Sequence, residues 1–144
     1  MGLKEFGSKK NNEANKHALN GGIPCKNHNC YKCCIETRMP LTQNDIVRIS
    51  KHGYRFKEFV VKRRGERCLK NRKGRCVFLE KNGCTIYSFR PEGCKLYPLL
   101  YDEDNEKGVI HNFCPYGHEY NVSSKDIENL HILIKKLARE VLEY

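Results

Sequence analysis

Four sulfurs fall within ten residues in Cys25-Lys-Asn-His-Asn-Cys30-Tyr-Lys-Cys33-Cys34, a C-x4-C-x2-C-C run. A thiolate is soft, anionic and short, so it suits Zn2+ or the iron of a cluster, and a two-residue spacer lets one loop offer two sulfurs to one centre. Adjacent Cys33 and Cys34 do not easily point the same way: either they serve different centres or one packs inward. Cys76, Cys84, Cys94 and Cys114 follow at intervals of 8, 10 and 20 residues, each near a predicted turn or strand end. These eight are the candidate metal ligands, enough for two four-thiolate centres or for one 4Fe-4S cluster with a companion zinc. Cys68, the ninth, is the least compelling by spacing, and a small buried hydrophobe is its competing reading. His28, inside the first run, and His111 and His118, flanking Cys114, are alternative ligands that read better as ordinary loop residues.

Zinc is favoured by presentation from loops and hairpins, as in zinc ribbons and fingers. An iron–sulfur cluster is favoured by all-sulfur ligation and by Cys114-Pro115, since Cys-Pro closes ferredoxin-type runs. Of the two, the iron–sulfur cluster is preferred. No Ser-His-Asp order, P-loop or carboxylate pair stands out, so hydrolysis and phosphoryl transfer have no support.

The rest of the composition agrees with a metal role. At 144 residues the chain is the size of one domain with a modest core, and its polar texture, with a mean hydropathy of −0.72 and no Trp, leaves room for extra crosslinks. Residues 1–22 are polar, lack the apolar core of a secretory signal and read as a flexible arm before the 23–144 domain. The expected compartment is therefore the cytoplasm, where thiols stay reduced and bind metal more often than they pair. No apolar run approaches the ~20 residues a membrane span needs. The formal charge of +10 stays positive even when eight thiolates holding two divalent ions are counted. Basic residues are densest from Lys62 to Arg75, without the aromatics of a single-strand-binding motif. A protein partner with an acidic surface is expected ahead of nucleic acid.

The elements that must position the sulfurs are short. Thr42 with Asp45 forms a capping-box pattern opening a helix to about His52, ended by Gly53. Phe56 to Arg64 reads as another short helical segment. RCVFLE and CTIYSF flank Lys81-Asn82-Gly83 as one hairpin, and KLYPLLYDEDNEKGVIHNF folds around Asp102 to Gly108 as a second. Pro91 suits the first position of a helical turn that aims Cys94, and Arg90 either bonds carbonyls or balances thiolate charge. Tyr87 and Tyr97 read as core. Ser123 and Asp126 cap a last helix whose apolar stripe runs through Ile127, Leu130, Ile134, Leu137 and Val141, widened by Leu133 and Ala138. The expected fold is a small single cysteine-rich α+β domain: a loop cluster and two β-hairpins around the centre, closed by this amphipathic C-terminal helix.

The C-x4-C-x2-C-C run followed by RCVFLEKNGCTIYSFRPEGCKLYP resembles the YkgJ-type family of cysteine-rich zinc- or iron-chelating proteins, over about residues 25 to 115. The resemblance implicates Cys25, Cys30, Cys33, Cys34, Cys76, Cys84 and Cys94, with Cys114 as the later cysteine. One residue more than the family's spacing separates Cys25 from Cys30. Related motifs occur in the flagellin lysine N-methylase FliB, so the resemblance implies a metal-binding accessory or protein-modification factor. A component of a lysine N-methylation system and a zinc module binding nucleic acid are the alternatives. No Gly-rich strand-to-helix turn of the Rossmann type is present to bind S-adenosylmethionine.

Overall fold

Frequent turns and the lack of long apolar runs keep nearly every element short. The computed structural model describes residues 3–4 and 16–142, so most of the N-terminal arm, 1–2 and 5–15, lies outside the described residues. The fold is mixed α+β, with five α-helices and several antiparallel hairpins among the described residues. The chain divides into two compact units, Met1–Cys30 with Lys95–Ile134, and Tyr31–Cys94 with Lys135–Tyr144.

In the first unit, β1 (Leu3–Lys4) pairs with β10 (Lys107–His111), which pairs with β9 (Leu99–Asp102), all antiparallel. The β9–β10 hairpin turns as its acidic tip predicts. The Asp102 carboxylate accepts from the Asp104 N–H at 3.1 Å and from Asn105 Nδ2 at 2.7 Å, closing the turn with its own side chain. β2 (His17–Ala18) runs parallel to β11 (Tyr120–Asn121). Helix α1 (Ile23–Asn27) follows Gly22, with Pro24 near its start, and carries Cys25. Leu99, Val109 and Leu130 are buried here.

In the second unit, α2 (Gln43–Ser50) begins at the predicted capping box: Thr42 Oγ1 accepts from the Asp45 N–H, and Asp45 accepts from the Thr42 N–H, both at 3.0 Å. Gly53, at φ 98°, follows the end of the helix, close to the expected stop. The expected helix from Phe56 to Arg64 is only half formed. α3 covers Phe56–Phe59, and β3 (Val60–Arg63) then pairs with β4 (Glu66–Leu69). Two physical causes explain the switch. Val60 and Val61 are β-branched and pack well on a pleated surface. Arg64 and Gly65 also both take positive φ, 52° and 83°, the signature of a tight hairpin turn that a continuing helix excludes.

The same device recurs at Lys73-Gly74, with φ 55° and 78°, between β5 (Asn71–Arg72) and β6 (Arg75–Cys76). Cys76 therefore belongs to this hairpin and not to the one around Asn82. There only β7 (Leu79–Glu80) and β8 (Gly83–Cys84) pair, and Tyr87–Phe89 is a 3-10 turn where a strand was expected. α4 (Glu92–Leu96) starts directly after Pro91. Leu41, Ile46, Ile49, Phe59, Val60, Leu69, Phe78 and Ile86 form the core of this unit, and Cys76 is buried among them.

The last helix, α5 (Ser124–Leu142), is capped as predicted: Ser123 Oγ accepts from the Asp126 N–H at 3.1 Å, and Asp126 accepts from the Ser123 N–H at 2.9 Å. Its stripe buries Leu130, Leu133 and Leu137, while Ala138 is exposed.

Candidate metal centre

Five of the eight candidate sulfurs belong to the second unit. Cys33 and Cys34 ride on a 3-10 turn, Lys32–Cys34, of which Cys33 is the exposed member. Cys76 ends β6, Cys84 ends β8 and Cys94 lies in α4. The 3-10 turn thus delivers two sulfurs and the other three elements one each, and the core holds those elements together: Cys34, Cys84 and Cys94 pack against the same cluster that buries Cys76.

The electrostatics show which sulfurs are neighbours. A hydrogen bond with Cys34 holds the Cys33 thiol below its ordinary value, and the same bond, with burial, pushes Cys34 up, as donation from the Cys34 thiol to the Cys33 sulfur does. Burial pushes Cys76 up to about 11, with the charges of Cys84 and Cys33 adding to it. Burial likewise raises Cys84, with Cys33 contributing, and raises Cys94, with Cys33, Cys76 and Cys84 contributing. Every pair among Cys33, Cys76, Cys84 and Cys94 therefore interacts. Cys34 feels Cys33, Cys76 and Cys84.

Arg90 performs both roles considered for it. It donates to the Tyr87 carbonyl at 2.9 Å and lies 4.1 Å over the Tyr87 ring, and its charge lowers Cys33 and Cys84. Burial and Glu66 raise Cys68, in the middle of β4, and no other cysteine contributes to its shift. That is the environment of a buried hydrophobe, apart from the quartet.

Asp45 is a positioning residue whose second role the sequence did not reveal. Fully buried, it accepts from the Thr42 N–H, from Arg48 at 2.8 Å and from the Glu92 N–H at 3.1 Å, so the carboxylate that caps α2 also caps the helix carrying Cys94. Asp45→Ala strands these donors and is expected to cost about 2–3 kcal/mol of unfolding free energy, with Asp45→Asn costing less. Thermal denaturation of both variants checks this, and a midpoint for the Ala variant equal to wild type counts against it.

The other three sulfurs, Cys25, Cys30 and Cys114, belong to the first unit. Cys25 Sγ lies 3.0 Å from the Tyr120 hydroxyl, and Cys30 donates its N–H to the Cys25 carbonyl at 2.9 Å. Burial raises the Tyr120 phenol, with Cys25 and then Cys114 adding to it, so these two sulfurs share its neighbourhood. His28 is exposed, yet its Nε2 pairs with Glu119 at 2.9 Å and its ring stacks on Tyr116 at 3.8 Å. Nothing in the sequence flags Tyr120 or Glu119, because each meets its partner across more than ninety residues. His111 Nδ1 lies 2.8 Å from the Tyr97 hydroxyl, and His118 is exposed.

Among the described residues, no three His, Cys, Asp or Glu side chains already converge tightly enough to hold an ion. The donor set nonetheless fits a soft metal. Burial and mutual repulsion oppose more than one thiolate in the second unit near neutral pH, so ionising the quartet there is favoured by a cation in its midst. The raised thiols also fix a pH response of the metal-free chain. Because folding raises Cys34, Cys76, Cys84 and Cys94, the stability they contribute is fully present below the ordinary thiol value of 9.0 and is lost as pH rises through their folded values, about 11 for Cys76. Cys33 alone has the opposite sign. Thermal melts of metal-free protein should fall progressively between those two pH values, and a flat profile counts against the shared neighbourhood.

Among the described residues, no helix is long and apolar enough to cross a membrane. No curated protein and no solved structure matches the chain. A family model does match, described as "CxxCxxCC: Putative zinc- or iron-chelating domain", over residues 24–115. That span is well over half of the chain and contains all nine cysteines of both units. The chain belongs to this zinc- or iron-chelating CxxCxxCC family.

Proposed function

We propose that Cys33, Cys76, Cys84 and Cys94 hold one four-thiolate centre, iron–sulfur in kind, and that the protein is an accessory factor presenting this centre to a protein partner. The observation that carries the reading is the packing of Cys84 and Cys94 against the core cluster that buries Cys76, with the charge of Cys33 felt by all three. Cys34 is the reserve sulfur of the same group, while Cys25, Cys30 and Cys114 form a second, smaller thiol set. Ligation requires the thiols to rotate, or their turns to close, around the metal. The bound group would supply a positive charge that makes four neighbouring thiolates compatible, and Arg90 offsets part of what remains.

A four-thiolate zinc site is the second reading, favoured by Cys76 and Cys84 ending two consecutive hairpins, a presentation similar to zinc ribbons. Anaerobic purification followed by analysis for iron, zinc and acid-labile sulfide, with an absorption spectrum on the same sample, separates the two. Equal iron and sulfide with a broad visible band supports the cluster. Colourless protein with stoichiometric zinc selects the second reading, and protein with neither metal after reconstitution removes both.

A further inference from the structure

The turn that carries Cys33 has apolar neighbours where a solvated loop would be polar. Tyr31 and Ile35, on either side of it, are 37% and 43% exposed. Tyr31 is held in place because its ring lies over Gly83, where an added Cβ would stand 3.2 Å from ring atoms. Ile35 makes an antiparallel bridge to Arg75, and the Glu36 N–H donates to the Gly74 carbonyl at 2.7 Å, which fastens the β5–β6 turn to the exit of the Cys33 turn. On that hairpin Arg72 and Arg75 stand directly opposite each other, with Lys73 between them in the turn, and all three are exposed. Like charges opposed across a ladder destabilise it. Among the described residues, none of the three makes an ion pair with an acid. The fold therefore keeps an uncompensated cationic tip fastened beside the turn that carries Cys33, the most exposed residue of the quartet.

We propose that Tyr31, Cys33 and Ile35, edged by Arg72, Lys73 and Arg75, form the docking surface for an acidic protein partner. The inference rests on the four-thiolate reading, since it gives the partner a centre to meet. Two apolar side chains exclude water around the Cys33 edge, and guanidinium forks take carboxylates in bidentate pairs. Rim charges of this kind set encounter rate and orientation. An apolar middle with cations along one edge matches a protein patch with the opposite arrangement, an apolar spot edged by carboxylates. A nucleic-acid site would instead distribute its cations along a phosphate track.

The test uses the metal-loaded full chain, fluorescence anisotropy and two labelled probes: a peptide with a Leu-Phe centre flanked by glutamates, and single-stranded DNA of equal net charge. The triple variant Arg72→Glu, Lys73→Glu, Arg75→Glu is expected to weaken peptide binding about tenfold, and Ile35→Ser about threefold, whereas Lys62→Glu with Arg64→Glu on the β3–β4 hairpin should change it less than about twofold. Failure of the wild type to bind the peptide, equal losses from both charge sets, or tighter binding of the DNA overturns the proposal. Metal content measured on every variant keeps the two readings apart. A chain that never takes up metal defeats the four-thiolate centre, while loss of peptide selectivity in fully loaded protein defeats only the docking surface.

Discussion

Cys76→Ser is expected to reduce retained metal to less than about a tenth of wild type and to abolish cooperative thermal unfolding. Cys76 is 5% exposed, ends β6 and interacts with the three other proposed ligands as well as Cys34. The apparent binding energy of a structural zinc site, on the order of 10 kcal/mol, is as large as the whole stability of a typical domain. A chain deprived of one ligand therefore loses most of what holds its short hairpins in place. Serine in a buried position could also unfold the protein directly, so Cys68→Ala serves as the control. Cys68 is just as buried in β4, and its truncation should leave metal stoichiometry unchanged at a cost of about 1–2 kcal/mol. Full metal retention by Cys76→Ser, or equal metal loss by Cys68→Ala, would falsify the ligand assignment.

Metal affinity should rise steeply with pH, and the same thiols explain why. Ligation needs thiolates, and burial with mutual repulsion keeps Cys76, Cys84 and Cys94 protonated at neutral pH. Each thiol that must lose its proton contributes about one power of ten in affinity per pH unit below its own value, so three or four ligands give about a thousandfold to ten-thousandfold per unit. Binding of zinc to metal-free protein at neutral pH should accordingly release about three to four protons. Calorimetry in buffers of different ionisation enthalpy counts them. Release of one proton or none would mean that carboxylates or imidazoles hold the ion. The direction is opposite to that of metal-free stability, which falls as the same thiols ionise without a cation. Loaded protein should therefore outlast empty protein most clearly in alkaline solution.

Arg90 and Asp45 show how the second unit manages this charge. Arg90, 9% exposed, is the cation nearest in effect to Cys33 and Cys84, and it is held by the Tyr87 carbonyl and ring. Asp45 raises Cys94 slightly by its own charge, yet it is spent on two helix starts and Arg48. A buried carboxylate near thiols that must ionise is tolerable only because those donors compensate it.

The sequence by itself determined what is local. The capping boxes at Thr42 with Asp45 and at Ser123 with Asp126 and the acidic hairpin tip at Asp102 appear as read, and so does the amphipathic stripe of α5 apart from the exposed Ala138, because each depends on residues within a few positions of one another. Cysteine spacing likewise determined the family and its zinc- or iron-chelating character. Local reading failed where handedness decided. Phe56 to Arg64 has helical composition, but the positive φ of Arg64 and Gly65 turns the second half into a hairpin, and Arg-Gly is a weaker signal than Asn-Gly. The tertiary structure alone decided which sulfurs are neighbours. The eight candidates look equivalent along the chain, yet Cys33, Cys76, Cys84 and Cys94 share one electrostatic environment, Cys25 and Cys114 share another with Tyr120, and Cys68 has neither. It also decided that Asp45, read as the cap of one helix, holds a second one 47 residues away. Sequence fixes contacts made across a turn, whereas contacts between distant segments exist only once a buried core has chosen which short elements lie side by side.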